Sequence, residues 1–254
     1  MCLIAFALDA VPGYRLLVAA NRDEFHARPT APAARWDDAP GVFAGRDLRD
    51  GGTWMGLAQG GRFAALTNHR NGAPAERAPR SRGHLVAQFL RTDSQARAYA
   101  QQVGRDRHAY NGFNLLVACE ADLWFVADDE APQRVEPGLH TLSNARLDTP
   151  WPKATGLAAD MAYATRANGD EDGLFAALFA ALADARPAAD ATLPDTGIGM
   201  TRERELSPRM IINPVYGTRS ACVLAIRSDG TARFEETSFD AIGQVTGRVA
   251  GAPG

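Results

Sequence analysis

MCLIAFALDAVPGYRLLVAANRDE, residues 1–24, holds two apolar runs around a short break at Pro12-Gly13. The first run opens at Cys2, and the second ends in four consecutive polar residues, Asn21-Arg22-Asp23-Glu24. Such a pair predicts an antiparallel β-hairpin, in which the start of one strand lies beside the end of the other. If Asp9 pairs with Tyr14, Cys2 faces Asn21; a one-residue change in the turn sets it opposite Arg22. In either register a thiol at the amino end rests beside an amide, a guanidinium and two carboxylates.

That neighbourhood has a chemical reading. Removal of Met1 would place a free α-amine on the residue that carries the thiol. Such an amine, with a pKa of roughly 8 in model peptides, is suited to act as a general base near neutral pH. Arg22 would favour anionic sulfur, and Asp23 or Glu24 would accept a hydrogen bond from the amine. A plainer reading stands beside it. Cysteine is among the most buried residue types, and position 2 of a core strand suits a small hydrophobe.

Working outward, the 254 residues contain no linker, low-complexity tract or internal repeat, so a single domain over 1–254 is expected. With 46% hydrophobic and 22% charged residues the chain has the composition of a globular protein with a sizeable core. A net charge of -3 gives no reason to expect nucleic acid as a partner. No signal peptide or apolar run long enough for a bilayer is evident, so a cytoplasmic protein without membrane insertion is expected. Cys2, Cys119 and Cys222 are too few and too widely spaced for a disulfide framework or a zinc cluster. No motif specifies an oligomeric state.

His26–Pro40, rich in Pro and Ala, reads as an irregular loop. A β-meander is expected over Val42–Gly45, Thr53–Gln59 and Arg62–Asn68, with glycine pairs at the turns. Ser81 and Ser94 are the expected caps of two helices. Further strands are FNLLVAC, LWFVA and GLHTLSN, the first two joined by a turn at Glu120-Ala121-Asp122. Pro152 suits the first turn of a third helix. Asp172–Asp184 reads as a fourth, with Leu174, Leu178 and Leu182 on one face. Pro187–Arg209 is loop-like, a final hairpin turns at Ser228-Asp229-Gly230, and the end from Gly247 is expected to fray. Runs such as LLVAA and ACVLAI do not alternate, which points to strands covered on both faces. The fold class is α+β: two antiparallel sheets with helices outside them. Trp54, Trp124 and Trp151 are expected in the core.

The segments MCLIAF, LVAANRDEFHARPT, GGTWMGL, ALTNHR, LSNARLDTPWPK and YGTRSACVL together resemble the NRDE family, that of the transport and Golgi organisation protein 2. The resemblance covers nearly the whole chain. The family is similar to N-terminal-nucleophile hydrolases, which implies a four-layer αββα sandwich. Its members have been linked to Golgi organisation and secretion, to lipid and acyl-CoA metabolism and to haem trafficking, with no family-wide reaction. By likeness to cysteine-type hydrolases of that superfamily, the catalytic group would be Cys2, Arg22 with Asp23 or Glu24, Asn144 and Arg219. Asn68 would lie where an oxyanion-hole amide is found. In those hydrolases the Arg and Asp stand three apart, whereas Arg22 and Asp23 are adjacent and point to opposite faces. Alternation allows Asn21 with Asp23, or Arg22 with Glu24, on the face of Cys2, and the second pair is favoured.

The leading expectation is an amidohydrolase-like protein for a small amide or thioester, with no cofactor required. The competing one is a non-catalytic carrier of haem or an acyl-CoA in the same cleft, and a third is a scaffold with relic hydrolase residues. The five histidines show no metal-ligand spacing. Of them His69, next to Asn68, is the least arbitrary candidate for touching a ligand such as haem iron.

Overall fold

The computed structural model describes residues 2–70, 78–120 and 122–253. Met1, whose removal the nucleophile reading invokes, and Ala121 of the expected turn lie outside them. The first hairpin forms, with β1 (Cys2–Val11) and β2 (Tyr14–Phe25) joined at Pro12-Gly13, where Gly13 takes a φ of 84°. Val11 pairs with Tyr14, and a bulge between Leu8 and Val11 then shifts the register, so that Cys2 pairs with Arg22 rather than Asn21. Without that extra residue the same turn would bring Cys2 opposite Asp23 instead.

Two antiparallel sheets follow. The first carries β11 (Tyr216–Arg227), β12 (Ala232–Phe239) and β13 (Val245–Gly251) on the open side of β2, and β10 (Gly138–Leu142) beside β1. The second runs in chain order from β3 (Thr30–Trp36) and β4 (Ala39–Asp47) through β5 (Met55–Ala58) and β6 (Arg62–Asn68). It ends with β7 (Phe113–Cys119), β8 (Asp122–Ala127) and β9 (Gln133–Arg134). Alternation along each strand divides the apolar residues into two sets. Ile4, Phe6, Val18, Leu224, Phe63 and Phe125 meet between the sheets. Leu3, Ala5, Leu17 and Val223 face α3 (Pro152–Ala167) and α4 (Glu171–Leu182). On the far side, Leu115 and Val117 of β7 pack on α1 (Gly83–Leu90) and α2 (Ala96–Asp106). The four layers are therefore helix, sheet, sheet, helix, as expected. Burying each large core side chain contributes about 1.5–3 kcal/mol.

The departures have local causes. Residues 30–36 form an edge strand instead of a loop; Pro32, which cannot donate to a ladder, is tolerated there because the edge is unpaired on one side. Residues 245–251 pair with β12 instead of fraying. A Cβ on Gly251 would come within 2.5 Å of the Phe43 ring, so glycine is what lets this strand close on β4. Ser81 and Ser94 do not cap: the helices start after Arg82 and Gln95 without side-chain caps. Asp170 caps α4 instead, its Oδ1 accepting from the Gly173 amide at 2.7 Å. A short helix, α5 (Met200–Glu205), interrupts the stretch expected to be loop. Trp54 is only partly buried and borders the cavity described below.

Candidate active site

Cys2, at the start of β1, is on the inter-sheet face with Ile4 and Phe6, and so is its cross-strand partner Arg22. Next to Arg22, β11 contributes Ser220 on one side of a bulge and Thr218 on the other, leaving Arg219 as the extra residue. Strict alternation would send Arg219 to the helix face with Ala221. The bulge re-aims it, and Cys2, Arg22 and Arg219 all border one cavity of about 660 Å³ at the open end of the sandwich. Arg219 is clamped there, its Nη1 donating to the carbonyls of Phe25, His26 and Arg28 at 3.1–3.2 Å. Thr218 is held by its own contacts. Its hydroxyl takes the Ile211 amide at 2.9 Å and donates to Asp23 Oδ1 at 2.7 Å. A Cβ on Gly217 would meet the Ile211 carbonyl at 2.6 Å, so this close approach requires glycine.

Of the four polar residues, Arg22, Asp23 and Glu24 border the cavity, and Asn21 does not. Asn21 faces the helices and donates to the carbonyls of Leu182 and Arg209 at 2.9 and 2.8 Å, which fixes the end of α4 against β2. Glu24 stands 3.9 Å from Arg22 and 4.0 Å from Arg28, and Arg28 in turn binds Asp47 and Asp50. Asp23 is buried, and burial raises its pKa against the opposing pull of Lys153 and the Thr218 hydroxyl. Burial likewise raises the Cys2 thiol above its ordinary value. Asp23 adds to that shift, while Arg22 and a backbone hydrogen bond from Asp23 oppose it. The resting sulfur near neutral pH is therefore a thiol, and attack requires a base.

Asn68 borders the cavity at the end of β6. Asn144 does not: it is fully buried one layer behind, and its Nδ2 donates to the Asn68 carbonyl at 2.9 Å. The loop that carries it ties the two sheets together. Ser143 Oγ donates to the Cys2 carbonyl at 3.1 Å, and the Arg70 amide donates to the Asn144 carbonyl at 2.8 Å. His69 is outside the lining, its Nδ1 3.2 Å from both Asp128 Oδ1 and Arg146 Nη2.

Several groups in or behind the cavity had no marker in the sequence. Arg82 borders it, is mostly buried, and couples electrostatically to Glu24 and Cys2. Lys153 is buried behind Asp23, donates to the Leu206 carbonyl at 3.0 Å, and is pulled down by burial to a pKa of about 8. Glu236 is a buried carboxyl on the cavity wall, accepting from the Ala33 amide at 2.9 Å, with burial raising its pKa. Only the placement of Pro152 just before Lys153 hinted that a helix start would sit here. Among the described residues no cluster of His, Cys, Asp and Glu is arranged to hold a metal ion, and no helix is long and apolar enough to cross a membrane.

Residues 1–241 match the family described as Transport and Golgi organisation 2. The Transport and Golgi organization protein 2 homolog of Bos taurus is 36% identical over 263 residues, covering 94% of this chain and 93% of the relative. The Homo sapiens homolog is 34% identical over 261 residues with the same coverage. Among solved structures, the Caenorhabditis elegans ortholog of N-acylethanolamine-hydrolyzing acid amidase superposes with a TM-score of 0.49 at 10% identity, covering 70% of this chain and 85% of that one. Penicillin V acylase from Agrobacterium tumefaciens superposes with a TM-score of 0.47 at 11% identity, covering 93% and 83%. On the sequence match along its length, the chain belongs to the Transport and Golgi organisation 2 family.

Proposed function

We propose that the cavity binds a small acyl compound and that Cys2 is the nucleophile toward its amide or thioester carbonyl. The observation that carries this reading is the cross-strand pairing of Cys2 with Arg22, joined by the bulged Arg219 on the same cavity. With Met1 removed, the α-amine of Cys2 takes the thiol proton as sulfur bonds to the carbonyl carbon. It then returns the proton to the leaving amine or thiol as the C–N or C–S bond breaks. Water hydrolyses the resulting thioester and restores the thiol. Arg22 favours sulfur's anionic form, and Asp23, held by Thr218, holds the amine. Asn68 faces the developing oxyanion, a role in which one lost donor costs about 10²–10³ in rate. Asn144 acts through Asn68 as a positioning residue. Intact mass establishes whether Met1 is gone. A screen of wild type against Cys2→Ala on amides and thioesters then tests the chemistry; the reading fails if no substrate distinguishes the two proteins.

A second reading, a non-catalytic carrier of an acyl-CoA or haem, is favoured by one feature. The amide of Asn144 is spent on Asn68 rather than offered to the cavity. For haem, no histidine borders the cavity among the described residues, which makes the Cys2 sulfur the candidate iron ligand. An absorbance titration with haem is expected to give a Soret shift that Cys2→Ala removes, and an unchanged spectrum argues against haem as cargo.

A further inference from the structure

The cavity is bordered by eight arginines and five carboxylates, and the two sets are not paired evenly. Arg28 gathers Asp47 and Asp50, and Glu24 stands between Arg22 and Arg28. Glu236 is buried, bonded to a backbone amide, and shifted by burial toward its neutral form. Arg46 is bound to Asp38 on the outside. The other five, Arg49, Arg80, Arg82, Arg219 and Arg248, have no carboxylate within ion-pair distance among the described residues.

These five stand on both sides of the opening. Arg49 follows β4, and Arg80 and Arg82 precede α1; Arg219 and Arg248 belong to β11 and β13 of the other sheet. Two of them are held by backbone carbonyls, which fix a guanidinium without cancelling its charge. Arg82 Nη1 donates to Gly112 at 2.8 Å, and Arg219 Nη1 donates to three carbonyls. Like charges gathered around a concave, partly desolvated space repel one another and raise the local potential, a cost that a bound anion relieves. Guanidinium forks match the oxygens of phosphate and carboxylate groups.

We propose that Arg49, Arg80, Arg82, Arg219 and Arg248 form a subsite for a polyanionic part of the ligand, a phosphate or a pair of carboxylates bearing at least two negative charges. This rests on the cavity being the ligand site and adds the class of ligand. The acyl carbon lies toward Cys2 and the anionic part toward the opening, where Arg49 and Arg248 are exposed.

Calorimetric titration with pyrophosphate, and separately with succinate, at low ionic strength tests it on wild type, Cys2→Ala and the double variant Arg49→Gln/Arg248→Gln. Saturable binding that weakens with added salt is expected, at least about tenfold weaker in the double variant. Tighter pyrophosphate binding supports the subsite with a phosphate ligand, and tighter succinate binding supports it with a carboxylate ligand. Cys2→Ala is expected to bind as wild type does, so the subsite stands or falls separately from the nucleophile. Because both substituted arginines are exposed, the double variant is expected to keep its far-ultraviolet spectrum. Absence of saturable binding of both anions, or undiminished binding in a folded double variant, overturns the proposal. If Arg49→Gln/Arg248→Gln does not fold, Arg80→Gln, also exposed, replaces it with the same criteria.

Discussion

Thr218→Val probes the support of the site with almost no change of shape. Thr218 is buried, and its hydroxyl bridges the Ile211 amide and the Asp23 carboxylate. The substitution removes a hydrogen bond to a charged group, a loss of about 1.5–3 kcal/mol, and strands a buried amide, a further loss of about 1–3 kcal/mol. The methyl that replaces the hydroxyl returns about 0.8 kcal/mol. A net loss of about 2–5 kcal/mol is expected. With a urea slope of about 3 kcal/mol per M, the midpoint falls by about 1 M. The loss also depends on pH. Burial raises the Asp23 pKa in the fold, and the Thr218 hydroxyl lowers it. A carboxyl raised in this way contributes stability that is fully present below its unfolded value and lost as pH rises through the folded value. Removing the hydroxyl raises the folded value further, so the variant loses more at about pH 8 than at about pH 5. Urea unfolding followed by tryptophan fluorescence at both pH values measures it. Equal losses at the two pH values, or a midpoint fall below about 0.2 M at the higher one, would refute the role assigned to Thr218.

Glu203→Ala leaves the Arg70 guanidinium, 2.9 Å from Glu203 and stacked on Trp151, buried without its partner. A loss of about 3–5 kcal/mol is expected in the same denaturation assay, and a loss under about 1 kcal/mol contradicts the pairing. Lys153→Met tests the buried amine. A lysine depressed from 10.5 to about 8 withholds stability below pH 8 and restores it as pH rises toward the unfolded value. Wild type is therefore expected to gain on the variant between those limits, and parallel pH profiles count against the depressed value. Alkylation of Cys2 by iodoacetamide, read by peptide mass spectrometry, is expected to be slower at neutral pH than for a free thiol and to accelerate above the ordinary thiol range, because burial raises its pKa. Arg22→Gln is expected to slow it further, since Arg22 favours the thiolate; faster labelling of the variant would reverse that assignment.

Much of the candidate site was legible because the proposed nucleophile sits at a hairpin. Pairing rules alone brought Cys2 to the end of β2 and narrowed its neighbour to Asn21 or Arg22. The choice between them depended on the bulge between Leu8 and Val11, where Asp9 takes a φ of 46° that pairing rules alone do not call for. The favoured pair, Arg22 and Glu24, does border the cavity with Cys2, and Asp23 borders it as well. Asn144 was assigned by likeness to cysteine-type hydrolases and His69 by its place next to Asn68, yet one lies behind Asn68 and the other in a network with Asp128 and Arg146. Arg82, Lys153 and Glu236 were invisible because each comes from a different layer, and nothing local relates them to Cys2.

The amino-acid order by itself determined the layers. Unbroken apolar runs require cover on both faces, amphipathic segments supply it, and polar residues at strand ends gather where the sheets open. Only the tertiary structure decided which side chains share the cavity. That choice rests on two single-residue bulges, on glycines that permit close approach at positions 217 and 251, and on long-range hydrogen bonds such as Ser143 to Cys2. The physical reason is that strand alternation has a period of two. One inserted residue reverses a face, and the energy that favours the insertion comes from contacts distant in the chain.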